Sequence, residues 1–108
     1  MKSKNIVTQI VISKLKRIEN RNDFINVTLR MRQWLNMQIG FVGYSLYEDG
    51  INMSDRLEYD SIDSARSIND KFKSTEMYIE FMSLVEPTFA GFIGKAVNLD
   101  VNELCGDC

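Results

Sequence analysis

The chain contains no histidine, so proton transfer and nucleophilic chemistry fall to tyrosine, tryptophan, arginine, asparagine, cysteine and the carboxylates. Histidine-dependent triads and imidazole metal sites are excluded. Tyr44, Tyr47, Tyr59 and Tyr78 each carry a hydroxyl that must find a partner when buried. On a pocket wall such a hydroxyl orients or deprotonates a phenol-like substrate; elsewhere it reaches solvent or backbone. Arg56 shares a strand face with Ser54 and Glu58. It can stabilise an enolate or peroxide anion if that face lines a pocket, or pair with Glu58 at the surface for about 0–1 kcal/mol. Tyr59 and Arg56 are the candidate catalytic residues. Asn36 and Asn69 can hydrogen-bond a carbonyl or face water, and Trp34 serves either as core or as a substrate platform. Cys105-Gly106-Asp107-Cys108 has the two-residue spacing of redox and zinc motifs, but it lacks a second ligand pair and the helix N-terminus that lowers a redox thiol's pKa. It reads as an incidental tail, and no metal is expected.

The stretch Gly40 to Asp60 is the element around which these residues are arranged. Phe41, Gly43, Ser45 and Tyr47 alternate with Val42, Tyr44, Leu46 and Glu48; Met53, Asp55, Leu57 and Tyr59 alternate with Ser54, Arg56 and Glu58. This predicts two strands, with Asp49-Gly50 at the reversal because glycine accepts the positive φ of tight hairpin turns. Ile6 to Leu15 is a strand largely apolar on both faces, Ile6, Thr8, Ile10 and Ile12 against Val7, Gln9, Val11 and Ser13, and such a strand wants cover on both sides. Asn20 or Asn22 caps a helix running to about Gln38, with Phe24, Val27, Met31, Trp34 and Leu35 at helical spacing. Gly40 stops it. Ser61 caps a second amphipathic helix through Ile62, Ala65, Ile68 and Phe72; Ser74 or Thr75 restarts it, with Met77, Tyr78, Phe81, Leu84 and Val85 apolar, and Pro87 closes it. Phe89 to Asn98 is the last strand, whose Gly91 and Gly94 suggest a bulge or close backbone approach.

The order strand, helix, strand, strand, helix pair, strand predicts an α+β class: a ferredoxin-like βαββαβ unit with four antiparallel strands and helices on one face. A chain of 108 residues, 44% hydrophobic, is long enough for one core. Residues 6–98 form the domain, residues 1–5 a flexible start and residues 99–108 a tail. The uncovered sheet face calls for a second copy, so a homodimer packed sheet to sheet is expected. Thirteen basic and fifteen acidic residues leave no basic stripe for phosphates, which argues against nucleic acid. The apolar run Ile6 to Ile12 is broken by Thr8 and Gln9, with no membrane segment or cleavage site, so a cytoplasmic protein is expected.

The segments IGFVGYSLYED after a long first helix, DRLEYDSIDSARSIND running from strand into helix, and a second helical piece ending at Glu86-Pro87 together resemble the antibiotic-biosynthesis-monooxygenase family over about Ile6 to Asn98. Ile39-Gly40-Phe41 stands where that family has Pro-Gly-Phe, and Tyr59 where it often has Trp. The resemblance implies pairing into a dimeric α+β barrel. It also implies a pocket between helices and sheet for aromatic polyketides, quinones or haem, and oxygen chemistry without a separate cofactor. The haem-degrading branch has Asn on the first strand and Trp and His on later helices, where this chain offers Thr8 or Gln9, Ile68 or Phe72, and Phe81. Haem chemistry of that kind is not expected. Trp34, Tyr44, Phe72, Tyr78, Phe81 and Phe92 are the candidate substrate-binding residues for such a pocket. The expected function is a cofactor-independent monooxygenase or cyclase acting on a small aromatic or quinone-like molecule; the alternative is a non-catalytic ligand-binding or assembly subunit on the same barrel. A solvent-connected pocket bearing two or more tyrosines and an arginine favours the enzyme, and a sealed Met- and Phe-filled space favours the subunit.

Overall fold

The computed structural model describes residues 6–87, 90–97 and 99; the expected flexible start, most of the expected tail with both cysteines, and Phe89 and Asn98 lie outside them. In chain order the elements are β1 (Val7–Lys14), a 3-10 turn (Ile18–Asn20), α1 (Arg21–Asn36), β2 (Phe41–Asp49), β3 (Asn52–Tyr59), α2 (Ile62–Phe72), α3 (Glu76–Leu84) and β4 (Ala90–Lys95). The strands form one antiparallel sheet in the order β2-β3-β1-β4. This is the expected ferredoxin-like α+β architecture.

Strand alternation divides the side chains. Val7, Gln9, Val11, Ser13, Met53, Asp55, Leu57 and Tyr59 point to the side that the helices cover, where all but Gln9 and Val11 are buried. Thr8, Ile10 and Ile12 point to the other side with Ser54, Arg56, Glu58 and Phe92. Two clusters make up the core. One gathers Leu15, Phe24, Met31, Met53, Phe81 and Val85 under α1 and α3, and the other gathers Leu35, Leu57, Tyr59, Ala65 and Ile68 under α1 and α2.

Several ends differ from the sequence reading. The hairpin reverses at Gly50-Ile51, one residue later than expected, because Asp49 pairs with Asn52. The helix expected to reach Gln38 stops at Asn36. Asn20 occupies the cap position of α1 without capping it; its side chain donates instead to the Leu84 carbonyl at 3.5 Å, and the preceding 3-10 turn leads the backbone into the helix. Ser61 and Thr75 do cap, accepting from the amides of Ser64 and Tyr78 at 3.0 and 3.3 Å. Gly91 gives the expected close approach, since a Cβ there would lie 2.6 Å from the Ile10 carbonyl oxygen.

Gly40 joins α1 to the hairpin with φ +98°, and its carbonyl accepts from the Asp60 amide at 2.8 Å. A Cβ at this position would collide with Ser64 at the start of α2. Gly40→Ala is expected to lower unfolding free energy in urea by about 2 kcal/mol or more. Gly43→Ala, whose Cβ makes only ordinary contact at 3.4 Å with Glu58, is expected to stay within about 0.5 kcal/mol of the parent.

Candidate active site

The helical cover over the sheet is interrupted between Phe72 and Glu76. The Thr75 hydroxyl donates to the Phe72 carbonyl at 2.7 Å and accepts from the Tyr78 amide, which ends one helix and starts the next with a change of direction. Two short helices seal less of the sheet than one continuous helix. Between the two core clusters lies a cavity of about 600 Å³ whose wall draws on both, Met31 and Phe81 from one and Leu35, Leu57, Tyr59 and Ile68 from the other. Phe72, Tyr78, Val11 and Ile93 complete the apolar wall, and the exposed side chains of Arg66 and Asp70 on α2 and of Lys73 just after it stand at its edge. The volume suits a flat molecule of two or three rings.

Polar groups enter this wall at two places. In the first, Gln9 and Asn69 form a reciprocal amide pair: Gln9 Nε2 donates to Asn69 Oδ1 at 3.2 Å, and Asn69 Nδ2 donates to Gln9 Oε1 at 3.0 Å. The Tyr59 hydroxyl donates to the same Gln9 oxygen at 2.7 Å, and Asn69 Nδ2 also donates to the Ala65 carbonyl at 2.7 Å. This arrangement leaves one Gln9 N–H, one Asn69 oxygen lone pair and the acceptor side of the Tyr59 hydroxyl for a ligand. Burial pushes the Tyr59 hydroxyl up to about 12, with Asn69 opposing, so at neutral pH it is a neutral hydrogen-bonding group.

The second place is Asp55. Only 3% of it is exposed, it lines the cavity, and its Oδ1 has no hydrogen-bond partner. The hydroxyls of Tyr44 on β2 and Thr28 on α1 are likewise buried and without partners. Burial raises the Asp55 carboxyl from its ordinary 3.8 to about 6, with Tyr44 opposing. Burial first, and then the Asp55 charge, raise the Tyr44 hydroxyl well above its ordinary value. A carboxylate desolvated to this degree, beside an apolar cavity, is suited to exchanging protons near neutral pH.

The candidate residues from the sequence fall in four places. Tyr59, Phe72, Tyr78 and Phe81 line the cavity together. Trp34 stands one layer behind, its ring 5.7 Å from that of Phe72, which in turn meets Tyr78 edge to face at 5.8 Å. Tyr44 packs with the Leu35–Leu57–Tyr59 cluster and is not part of the cavity wall. Arg56 and Phe92, expected in the site, instead lie on the opposite side of the sheet, where each pairs with Ile10. Arg56 there donates to Glu58 at 3.2 Å in an exposed pair, and Phe92 is 64% exposed. Ile93, one residue on, is the β4 side chain that reaches the cavity. Of the two asparagines, Asn69 joins the polar group and Asn36 is exposed. Sequence reasoning misses Asp55, and it reaches Gln9 only as one of two first-strand residues standing where the haem-degrading branch has Asn. A signal for Asp55 existed, because it is the one acid on the alternating face Met53, Leu57, Tyr59.

No family model and no curated protein matches the sequence. Solved structures do match. SnoaB from Streptomyces nogalater, a cofactor-independent oxygenase solved as an asparagine-to-alanine variant, superposes with a TM-score of 0.76 at 16% identity, over 89% of this chain and 98% of that one. The chain has the fold of the antibiotic-biosynthesis-monooxygenase-like proteins. A further antibiotic biosynthesis monooxygenase matches over 85% of this chain and 99% of its own with a TM-score of 0.67 at 13% identity. A dimeric ferredoxin-like protein from an uncultured marine organism matches over 91% and 93% with a TM-score of 0.69 at 13% identity.

Because the folded-state value for Asp55 lies above its unfolded value, the native state favours the protonated acid. Its contribution to stability is full below 3.8 and is lost as the pH rises through about 6. The gap corresponds to about 3 kcal/mol. Asp55→Asn is therefore expected to raise the melting temperature at pH 8 and to leave it unchanged at pH 3.5, measured by scanning calorimetry at both.

Proposed function

We propose that the chain is a cofactor-independent oxygenase of flat, hydroxylated aromatic molecules, working as a homodimer. The observation that carries this reading is the aromatic cavity with a hydrogen-bonded Gln9–Tyr59–Asn69 group in its wall. Apolar walls hold a ring system by burial, and a few convergent polar groups fix its orientation. The cavity edge carries Arg66, Asp70 and Lys73, and its wall carries Tyr59 and Tyr78. An open site with two tyrosines and an arginine favours an enzyme over a sealed carrier, although the arginine is Arg66 and not Arg56. The likeness in fold to an oxygenase described as cofactor-independent supports the reaction class.

In such a reaction the substrate supplies the electrons. Deprotonation leaves an electron pair on a ring carbon, which forms a C–O bond with dioxygen, and the resulting hydroperoxide loses water. A CH₂ group and O₂ thus give C=O and H₂O. Gln9, Tyr59 and Asn69 orient the substrate oxygens, while Phe72, Tyr78 and Phe81 keep water from the anion.

Homodimerisation is supported by the uncovered side of the sheet. Ile12, Tyr47 and Phe92 are 51%, 55% and 64% exposed there, around the pair Ile10 and Phe92. An apolar patch of this kind marks an interaction surface, and a second copy of the same face is its simplest cover.

Two measurements test these readings. A panel of naphthoquinones, anthraquinones and flavonoids is expected to include compounds that change Trp34 fluorescence and raise the melting temperature. With at least one of them, oxygen uptake should proceed without added flavin, haem or metal. Tyr59→Phe is expected to lower kcat about tenfold or more with little change in binding, and Arg56→Ala to leave ligand affinity unchanged. Binding without oxygen uptake would make the chain a ligand-binding subunit, and no binding by any compound would return the aromatic residues to a structural role. Light scattering at micromolar concentration is expected to give a dimer mass that Phe92→Asp reduces to the monomer; a monomeric parent removes the argument from the uncovered sheet face.

A further inference from the structure

We propose that Asp55 is the general base of the cavity: its carboxylate takes a proton from an acidic C–H or O–H of a flat ketone or phenol and leaves the electron pair on the substrate as an enolate. This rests on the reading of the cavity as a site for flat aromatic compounds.

Three observations lead to Asp55. It lies in the middle of β3, with Leu46 and Val11 as its neighbours on the flanking strands, so it caps no helix and closes no turn. Among the described residues no cation pairs with it; the three ion pairs involve Glu48, Glu80 and Glu58. Its Oδ1 is buried and makes no hydrogen bond of good geometry, the Tyr44 hydroxyl being the polar neighbour that opposes the effect of burial. A buried carboxylate with no cation and only a poorly placed hydroxyl beside it costs stability. Buried titratable groups of this kind, displaced by desolvation and set in a cavity wall, cluster at functional sites.

The surroundings suit proton abstraction. Gln9 and Asp55 are diagonal neighbours on adjoining strands, since Val11 pairs with Asp55 and Gln9 lies two residues before it on the same face. In a sheet this places their Cβ atoms about 7 Å apart. The two side chains can therefore address different atoms of one ring system, with Asp55 at the proton and the free Gln9 N–H at the oxygen where negative charge develops. The titratable groups facing Asp55 are Tyr44 from β2 and Tyr59 from its own strand. At the cavity edge α2 brings Arg66 and Asp70, the residue just after it is Lys73, and α3 brings Tyr78; α1 brings Thr28 and Met31, β1 Gln9 and Val11, and β4 Ile93, none of them charged. Both tyrosines titrate far above neutrality, so Asp55 is the buried group of the cavity that changes charge near pH 6. That is close to the value at which a carboxylate is both mostly ionised and still basic enough to be effective at neutral pH.

The test uses 2-tetralone, a flat aromatic ketone with acidic α-protons, in deuterated water without oxygen. Binding is followed by calorimetry and α-proton exchange by NMR. Asp55 removes an α-proton, the resulting acid exchanges that proton with D₂O entering the cavity, and the deuteron passes from the same carboxyl to the enolate carbon, so the step balances and needs no oxidant. The full chain is expected to bind 2-tetralone and to exchange its α-protons saturably, with a rate that rises through a single ionisation near pH 6. Asp55→Asn, matched in size, is expected to lose about 100-fold in kcat with KM within about threefold, and Tyr59→Phe to retain the ionisation. Exchange in Asp55→Asn within about threefold of the parent overturns the proposal. So does binding of 2-tetralone without catalysed exchange, which leaves the aromatic-cavity reading intact. Failure to bind 2-tetralone overturns the proposal, while the aromatic-cavity reading stands or falls on the panel of quinones and flavonoids. Should the variant not fold, the parent's pH profile decides alone, and a profile flat between pH 5 and 8 overturns the assignment.

Discussion

A glutamine in the middle of a covered strand face must be hydrogen-bonded, and the way Gln9 meets that requirement fixes the geometry around it. Its amide pairs with Asn69 on α2 and receives the Tyr59 hydroxyl from β3, so one polar group ties two strands to one helix. Leaving any of these groups unpaired would cost about 1–3 kcal/mol, comparable to the burial of a whole aliphatic side chain. The position of α2 over the sheet is therefore set by hydrogen bonding as well as by the apolar contacts of Ala65 and Ile68. With α2 held in this way, the chain turns at Ser74 and Thr75 to lay α3 against α1 and cover the rest of the sheet. The cavity is the space between those two placements.

The two polar regions of the cavity have opposite character. The Gln9–Tyr59–Asn69 group is satisfied and rigid, with single donor and acceptor positions to spare. Asp55, Tyr44 and Thr28 are buried with oxygens that lack partners, and the first two have proton affinities displaced by that burial. A satisfied group suits orientation, because its geometry does not change when a ligand arrives. An unsatisfied acid suits proton transfer, because the ligand provides the partner that the fold withholds. The instability at the second is offset by packing elsewhere, here by Phe24, Met53 and Val85 in the other core cluster.

The sheet separates this chemistry from the surface behind it. Because successive strand residues point to opposite sides, Arg56 and Phe92 stand a single position away from cavity residues Asp55, Leu57 and Ile93 and yet cannot touch a ligand within the monomer. The apolar residues on that outer side, Ile10, Ile12 and Phe92, nonetheless belong to the same strands that carry Gln9, Val11 and Ile93. Any molecule covering the outer side would brace the strands that form the cavity floor.

Local pattern alone determined the element order, the two hairpin strands, the cap at Ser61 and the break before α3, and narrowed the second cap to Ser74 or Thr75, since alternation, helical spacing and capping chemistry act between residues close in the chain. It also determined which residues share a face of each strand, because the period of two leaves no freedom. Which face the helices cover is a different matter, decided by the summed burial of all four strands and the docking of three helices. For β1 and β4, apolar on both sides, the two choices are alike in the sequence, so alternation assigns Phe92 to the cavity as readily as Ile93. The pairing of Gln9 with Asn69, sixty residues apart, and the isolation of Asp55 likewise came from tertiary structure, because a side chain's partners and its exposure to water depend on what lies across the fold and not on what lies beside it in the sequence.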